Sequence, residues 1–512
     1  MELATAAPPA ELSPKRQIAA GSLWLGATFI VTTLTGPLLV VALVRLMSHA
    51  QYGALAFAIS IVGLLAIITE FGLGSATAQI ASVERVRHGD AGMKGVLRSA
   101  LRIAIGAMVV SLIGYAGLLL LAKHVPTLKP TVPALICMMP IVVGAPLVGV
   151  GTGFLRANFR PRLISVATIF SSLVVAAITV LVLAIGDPSA AIVGAARSLG
   201  VCLMAAIFGL TLVVWTRQYQ HQPGAVVSRG TVLRFGGAVI LTGVFSVAVA
   251  QLDVFLLGIY RGSRTVAFYA PASGIATAVL GIPVVIAGFF LPVVSRAAAR
   301  RDDFEVRHLY HWASRWNLVL CSPALAVLVV CPTPVMRVAF GADYGSVGDV
   351  LRVLGIGVIA QVLFGYNGVT LDAYGIPGAV AIRQVIAISI SAFACLLLIP
   401  HFGMYGAAWA TTGALLLANV LCAWSLFTYA RILPWNRESI ITIVVFGAAM
   451  ACSSQIATAA SDVLRTCLVA FVVGTCTLVA ALVVAEKMER RAIIQQLRQL
   501  ISWRIQIGRP AA

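Results

Sequence analysis

The sequence predicts an all-α, polytopic membrane protein of about fourteen transmembrane helices, and three observations carry that prediction. Only 10% of its 512 residues are charged while 60% are apolar, with a mean hydropathy of +1.00. A water-soluble domain needs about 25% charged residues to cover its surface, so a soluble globule is excluded. The apolar residues fall in runs of about 20 or more, separated by short basic or Pro/Gly-rich breaks, which is the length that crosses a bilayer as a helix. These runs lack the strict alternation over about 10 residues that a membrane-spanning barrel strand requires.

Taken in order, residues 1–17 form an Ala/Pro-rich polar leader, read as a disordered cytoplasmic N-terminus. No small-residue cleavage site follows a short apolar core, so the first run is expected to persist in the mature protein. Spans are expected at 18–44, 52–73, 97–122, 132–155, 163–185, 190–215, 232–258, 268–294, 317–336, 347–373, 378–400, 405–429, 439–459 and 463–485. The tail, 486–512, places Ile493, Leu497, Leu500 and Ile501 on one helical face and Arg490, Arg491 and Arg498 elsewhere, the pattern of an amphipathic helix lying on the cytoplasmic leaflet. No break much exceeds about 20 residues, so neither face has room for a folded soluble domain, and any site must be built from helices and short loops.

The net charge of +19 would suggest nucleic acid in a soluble protein, but here the basic residues alternate between loops and form no single stripe. With the N-terminus on one side, 27 of the 36 Lys and Arg residues lie on that side and 8 on the other, while Arg197 lies within a span. The positive-inside rule therefore places both termini in the cytoplasm of a cell whose inner membrane holds the chain. Much of this charge would also face anionic lipid. The nine Cys residues include no CxxC and no paired loop spacing, so the sequence indicates neither a disulfide framework nor a metal site.

Two halves overlay at a separation of six helices. Tyr52-Gly53 matches Tyr269-Ala270, Leu155-Arg-Ala157 with Pro161 matches Leu371-Asp-Ala373 with Pro377, and Val193-Gly-Ala-Ala-Arg197 matches Tyr405-Gly-Ala-Ala-Trp409. Because six is even, the halves share one orientation, so a pseudo-two-fold axis along the membrane normal is expected. This gives an N-lobe at 18–215, a cytoplasmic linker at 216–231, a C-lobe at 232–430 and an additional helix pair at 437–485. Two such lobes suggest a cavity whose access alternates, which makes transport the leading function class.

Several segments resemble the polysaccharide transporter group of the multidrug/oligosaccharidyl-lipid/polysaccharide flippase superfamily. They are Leu43 to Gly53, Ile68-Thr-Glu-Phe-Gly-Leu-Gly-Ser-Ala-Thr77, Asp253 to Gly258 with Phe268 to Ala270, Phe340 to Tyr344, and Phe402 to Ala408. The resemblance extends through Tyr429 and implies a flippase for lipid-linked sugars rather than any one sugar. Glu70 stands where relatives often show Asp, which keeps the charge. The additional helix pair is similar to that of fourteen-span members, which include exporters and lipid II flippases.

Ionisable residues inside spans are the candidate site residues, because each costs about 2.5 to 3.5 kcal/mol at mid-helix on insertion scales. Arg197 lies roughly 12 Å into its span at 1.5 Å per residue. Its guanidinium suits the bidentate grip of a polyprenyl-diphosphate carrier, the alternatives being snorkelling or a structural ion pair. Arg45, Arg352 and Arg383 lie within about a turn of a span end and are further substrate-binding candidates, although snorkelling explains them equally well. Glu70, Asp253 and Asp372 are candidates for ion coupling or gating. They would pair with Arg261, Arg383 or Arg156 or take up H+ or Na+, against a plain reading as helix-end carboxylates in water.

Gly36-Pro37, Pro140, Gly144-Ala-Pro146, Pro283 and Pro292 are expected to kink helices. His308 and His311, with Asp302, Asp303 and Glu305 nearby, superficially offer metal ligands, but their Arg-rich surroundings predict a solvated interfacial segment. No nucleophile elbow or P-loop is present, so neither an enzyme nor an ATPase engine is expected, and no cofactor is implied.

The resulting expectation is a flippase that moves a polyprenyl-diphosphate-linked oligosaccharide (an exopolysaccharide, capsule or O-antigen repeat unit) across a bacterial inner membrane. Its expected partners are membrane lipids, glycosyltransferases and a polysaccharide polymerase, and nucleic acid is not among them. A multidrug or metabolite exporter of the same superfamily is the alternative, followed by a membrane-embedded polymerase.

Overall fold

A computed structural model of the protein describes residues 14–218 and 251–484, apart from positions 159, 187 and 457–461. Among the described residues all regular structure is helical, and twelve helices are long and apolar enough to cross a membrane. Of the fourteen expected spans, 18–44 falls within the helix Pro14–Leu46, whereas 232–258 lies partly outside the described residues, 251–261 being helical. Residues 1–13, the greater part of the 216–231 linker and the 486–512 tail, each with an expectation attached above, lie outside the described residues.

In chain order the helices are α1 (Pro14–Leu46), α2 (His49–Glu70), α3 (Leu73–His124), α4 (Val132–Ala157), α5 (Pro161–Ile185), α6 (Ala190–Gln218) and α7 (251–261). There follow α8 (Ser263–Val279), α9 (Gly281–Ala299), α10 (Asp303–Val330), α11 (Pro332–Phe340), α12 (Gly348–Phe364), α13 (Asn367–Ala373), α14 (Pro377–Phe402), α15 (Met404–Ala430), α16 (Arg437–Ile456) and α17 (Asp462–Val484). The chain resolves into two compact units, Met1–Ala278 with Gln384–Ala414, and Val279–Arg383 with Leu415–Ala512.

In the first unit, local chemistry sets the helix ends. Ser48 caps α2, its side chain accepting from the Gln51 N–H, and the Gln51 side chain in turn accepts from the Ala190 N–H at the start of α6. Phe71 and Gly72, both left-handed (φ 51° and 62°), turn the chain from α2 into α3. Residues 74–96, expected as a basic loop, are instead helical. The chain reverses at Gly89 (φ 57°), where Gly92 packs on the Glu84 backbone, and both arms bury Leu73, Ala76, Met93 and Leu97 with Phe154 of α4. Charge density misled the reading there because exposed Arg85, Arg87 and His88 flank a buried apolar stripe that takes in Lys94 as well.

In the second unit, α10 begins at Asp303, capped by the Asp302 side chain, and not near Asn317 as expected. Its first turns bury Val306, Tyr310 and Ala313 against Phe290, Tyr366, Leu426 and Ile432. The expectation of a solvated segment at His308 and His311 is therefore corrected. His308 is exposed, but His311 is buried with Nε2 2.9 Å from the Leu433 carbonyl. The span expected as continuous over 347–373 breaks at Gly365 (φ 66°) into α12 and α13. Helices α1 and α4 run through Pro37, Pro140 and Pro146, and the α8–α9 interruption falls at Leu280, which places Pro283 in the first turn of α9 where a missing N–H costs nothing.

Candidate functional site

Arg197 sits on α6 at the wall of a cavity of about 240 Å³, bounded by α1 (Thr32, Thr35, Gly36, Leu39), α5 (Ser171, Ser172, Val175, Ala176) and the next turn of α6. Gly36 and Gly200 keep two walls free of side chains. The Thr32, Thr35 and Ser171 hydroxyls donate to carbonyls of their own helices, leaving oxygen lone pairs and apolar carbon toward the cavity. The Tyr52 side chain lies within electrostatic reach of the guanidinium. Among the described residues no carboxylate comes within ion-pair distance of Arg197. A fork of five donors facing a cavity with no carboxylate at ion-pair distance is an arrangement that can receive an anion.

Asp253 on α7 presents the opposite arrangement. It is 3% exposed. Its Oδ1 accepts from the Val254 N–H (2.7 Å), and its Oδ2 accepts from the Tyr269 hydroxyl (2.6 Å) and the Thr411 hydroxyl (3.1 Å). Cys395 of α14 lies within electrostatic reach. Among the described residues no Lys, Arg or His forms an ion pair with this carboxylate. Arg261, one expected partner, is used elsewhere, donating to the Ile399 and Pro400 carbonyls near the end of α14 at 3.4 and 2.5 Å. A buried carboxylate held only by neutral donors can accept a proton or a small cation.

The internal repeat relates these two places. Tyr52 and Tyr269 are counterparts, and each faces the ionisable group of its own half. Arg197 corresponds to Trp409, two residues before Thr411. The elements also correspond, with α1, α2, α5 and α6 around Arg197 and α7, α8, α14 and α15 around Asp253. The sequence reading used the tyrosines as register marks and missed them as site residues. The signal was present, since a duplicated Tyr at a span entrance has a hydroxyl to satisfy in both halves.

The remaining candidates separate into different roles. Glu70 ends α2 and accepts from the Gly74 N–H at the start of α3, with Arg156 within electrostatic reach. Side-chain atoms of Glu70 lie so close to Gly74 and Gly149 that a Cβ at either would come within 2.9 Å of them, and Gly153 packs on the Gly74 carbonyl. This small-xxx-small contact explains Gly74, while Gly72 serves the left-handed turn, and Gly149-xxx-Gly153 was a readable sign of the contact. Arg352 is exposed, donating to Asp349 Oδ1 (2.7 Å) and the Val329 carbonyl (3.1 Å). Asp372 is exposed on α13, Arg45 is exposed in the last turn of α1, and Arg383 is half-buried on α14, with Asp372 and Arg383 both within electrostatic reach of Cys422. The sequence reading treated Arg315 as an ordinary loop cation, yet it is 4% exposed and paired with Glu438 of α16.

Residues 18–298, more than half of the chain, match the family described as polysaccharide biosynthesis protein. The chain belongs to that family. It is 25% identical over 181 residues to the probable low-salt glycan biosynthesis flippase Agl15 of Haloferax volcanii, an alignment spanning 35% of this chain and 38% of that relative. The fold is similar to that of the lipid II flippase MurJ in its inward closed conformation, with a TM-score of 0.72 and 14% identity over 90% of this chain and 98% of that one. It is also similar to an inward-facing multidrug resistance MATE family transporter of the MOP superfamily (TM-score 0.58, 16% identity, 78% and 94% coverage). The polysaccharide biosynthesis protein described here is thus a multi-pass membrane protein with the fold of that superfamily.

Proposed function

We propose that this protein is a flippase that carries a polyprenyl-diphosphate-linked oligosaccharide across the membrane by alternating access. Its family, its similarity to a glycan flippase and its MurJ-like fold support that class of function. The carrying observation is Arg197, a guanidinium facing a 240 Å³ cavity with no carboxylate in reach among the described residues. That volume suits a diphosphate and is too small for an oligosaccharide, so the sugar lies outside it and the isoprenoid tail in lipid.

In this reading Arg45 and Arg383 assist the anionic head at span ends, and Arg352 joins them only after leaving Asp349. Asp253 takes up the coupling H+ or Na+. Glu70 and Asp372 act at the cytoplasmic ends as gates. Both termini are cytoplasmic in a bacterial inner membrane, the N- and C-lobes rock to alternate access, and the chain performs no covalent chemistry.

Contacts within the first unit fit one end of such a cycle. Gly53 of α2 packs on the Ser263 carbonyl and Ala267, Gly258 of α7 packs on the Phe57 ring, and His49 stacks on Phe268 at 5.1 Å. By the charge-derived orientation these are outer ends, drawn together as an inward-facing state requires.

The test is translocation of a labelled polyprenyl-diphosphate oligosaccharide in proteoliposomes. Wild-type protein should bring the label to the opposite leaflet, and the Arg197→Ala variant, at equal reconstitution, should fail. Equal rates for the two would remove Arg197 from the mechanism. Transport of cationic dyes without transport of the labelled lipid would replace the flippase reading by that of an exporter.

A further inference from the structure

A helix broken inside a membrane exposes carbonyls that lipid cannot satisfy, so the partners of those carbonyls show what controls the break. At the α12–α13 break both critical carbonyls are held from distant parts of the chain. The Tyr310 hydroxyl of α10 donates to the Phe364 carbonyl (2.7 Å), and the Trp435 indole N–H donates to the Leu363 carbonyl (2.8 Å). Trp435 also packs on the Phe364 ring with centroids 5.1 Å apart. Trp435 belongs to residues 431–436, which connect α15 to α16.

That connector is fixed in turn to the face of α10 that carries Tyr310. His311 meets the Leu433 carbonyl, and buried Arg315 pairs with Glu438 in the first turn of α16. At the break itself a side chain on Gly365 would collide with Ser314, so α10 lies directly on the left-handed turn. Beyond the break, the Tyr374 hydroxyl reaches Asp303 Oδ1 (2.8 Å), and the Asn367 amide donates to the Asn419 carbonyl (3.0 Å).

We infer that the amino-terminal half of α10 and the 431–438 segment form a brace that positions the broken α12–α13 helix, and that the additional α16–α17 pair acts on α13 through this brace. Tyr310 and Trp435 are positioning residues. Neither lines the Arg197 cavity, and they fix where Asn367 and Asp372 stand. Arg315 and Glu438 are the lock that keeps Trp435 in place. The inference rests on the packing of the second unit and not on what is transported.

The experiment is hydrogen–deuterium exchange on the full chain in lipid nanodiscs. Trp435→Phe keeps the ring contact and removes only the N–H. Amides of 363–374 should exchange at least about tenfold faster, a shift of ~1.4 kcal/mol in local opening, with α2–α6 unchanged. Glu438→Gln should raise the same amides and also those of 431–437, and the exchanged pair Arg315→Glu with Glu438→Arg should restore part of the protection. Tyr310→Phe supplies an independent removal from the α10 side. Unchanged exchange at 363–374 in both Trp435→Phe and Tyr310→Phe would overturn the brace. So would faster exchange spread evenly over the whole chain, which marks general destabilisation. Translocation in the same samples separates this inference from the proposed function. Faster exchange at 363–374 supports the brace whether or not any lipid is moved.

Discussion

The two quasi-equivalent places in the first unit differ in how a charge is accommodated within the same four-helix environment. Around Asp253 the site is closed on its charge, with three donors reaching a carboxylate that is 3% exposed. Around Arg197 the site is open, with the hydroxyls turned to their own helices and about 240 Å³ left in front of the guanidinium. The duplicated tyrosine stands near both, so the scaffold is shared and the difference lies in the charge and in how its neighbours bond it. A closed acidic site suits a proton or a bare small cation, and an open basic one suits a bulkier anion. The comparison teaches that one duplicated frame can accommodate two side-chain charges of opposite sign.

The most severe way to break this comparison is Arg197→Glu, which gives both halves an acid. Translocation of the labelled lipid should fall by at least about a hundredfold, ~2.7 kcal/mol, in proteoliposomes matched for protein content. An active Arg197→Glu variant would show that the open site carries no anion. Next is Asp253→Asn, nearly the same shape without the charge. Transport should drop about tenfold and lose its dependence on an imposed H+ or Na+ gradient, while a gradient-dependent Asn variant would place coupling elsewhere. Tyr269→Phe removes one of the three donors and should lower thermal stability by about 0.5 to 1.5 kcal/mol. Tyr52→Phe should cost less, and equal losses in the two would erase the contrast. The smallest effect is expected from Arg352→Ala. Its exposed pair with Asp349 is worth roughly 0 to 1 kcal/mol, and transport should stay within about twofold of wild type.

Much of this was legible in the sequence for a simple reason. Span length and loop charge are set by the bilayer, an environment uniform enough that composition alone reports on it. The repeat was readable through Tyr52, Tyr269 and the Gly-Ala-Ala runs, and Arg197 stood out because a charge within an apolar run needs a reason. Three features escaped. The hairpin around Gly89 looked like a loop because its charges mask a buried stripe. His311 and Arg315 looked solvated because their partners, the Leu433 carbonyl and Glu438, lie 122 and 123 positions away. Thr411 had no local mark, since a hydroxyl in a membrane helix ordinarily bonds its own backbone, and only the fold brings it to Asp253.

The link between Glu438 and Arg315 has a practical consequence for anyone shortening or recombining this protein. Cutting the chain after Tyr429, where the resemblance read from the sequence ends, would leave a guanidinium in the interior without its carboxylate and the Leu363 oxygen without its indole. Loss of one partner from a buried ion pair typically destabilises by 3 to 5 kcal/mol, which is a large share of the margin by which most folded proteins exist. The last two rods are therefore not a detachable appendix, and chimaeras that exchange them should carry the α10 face along.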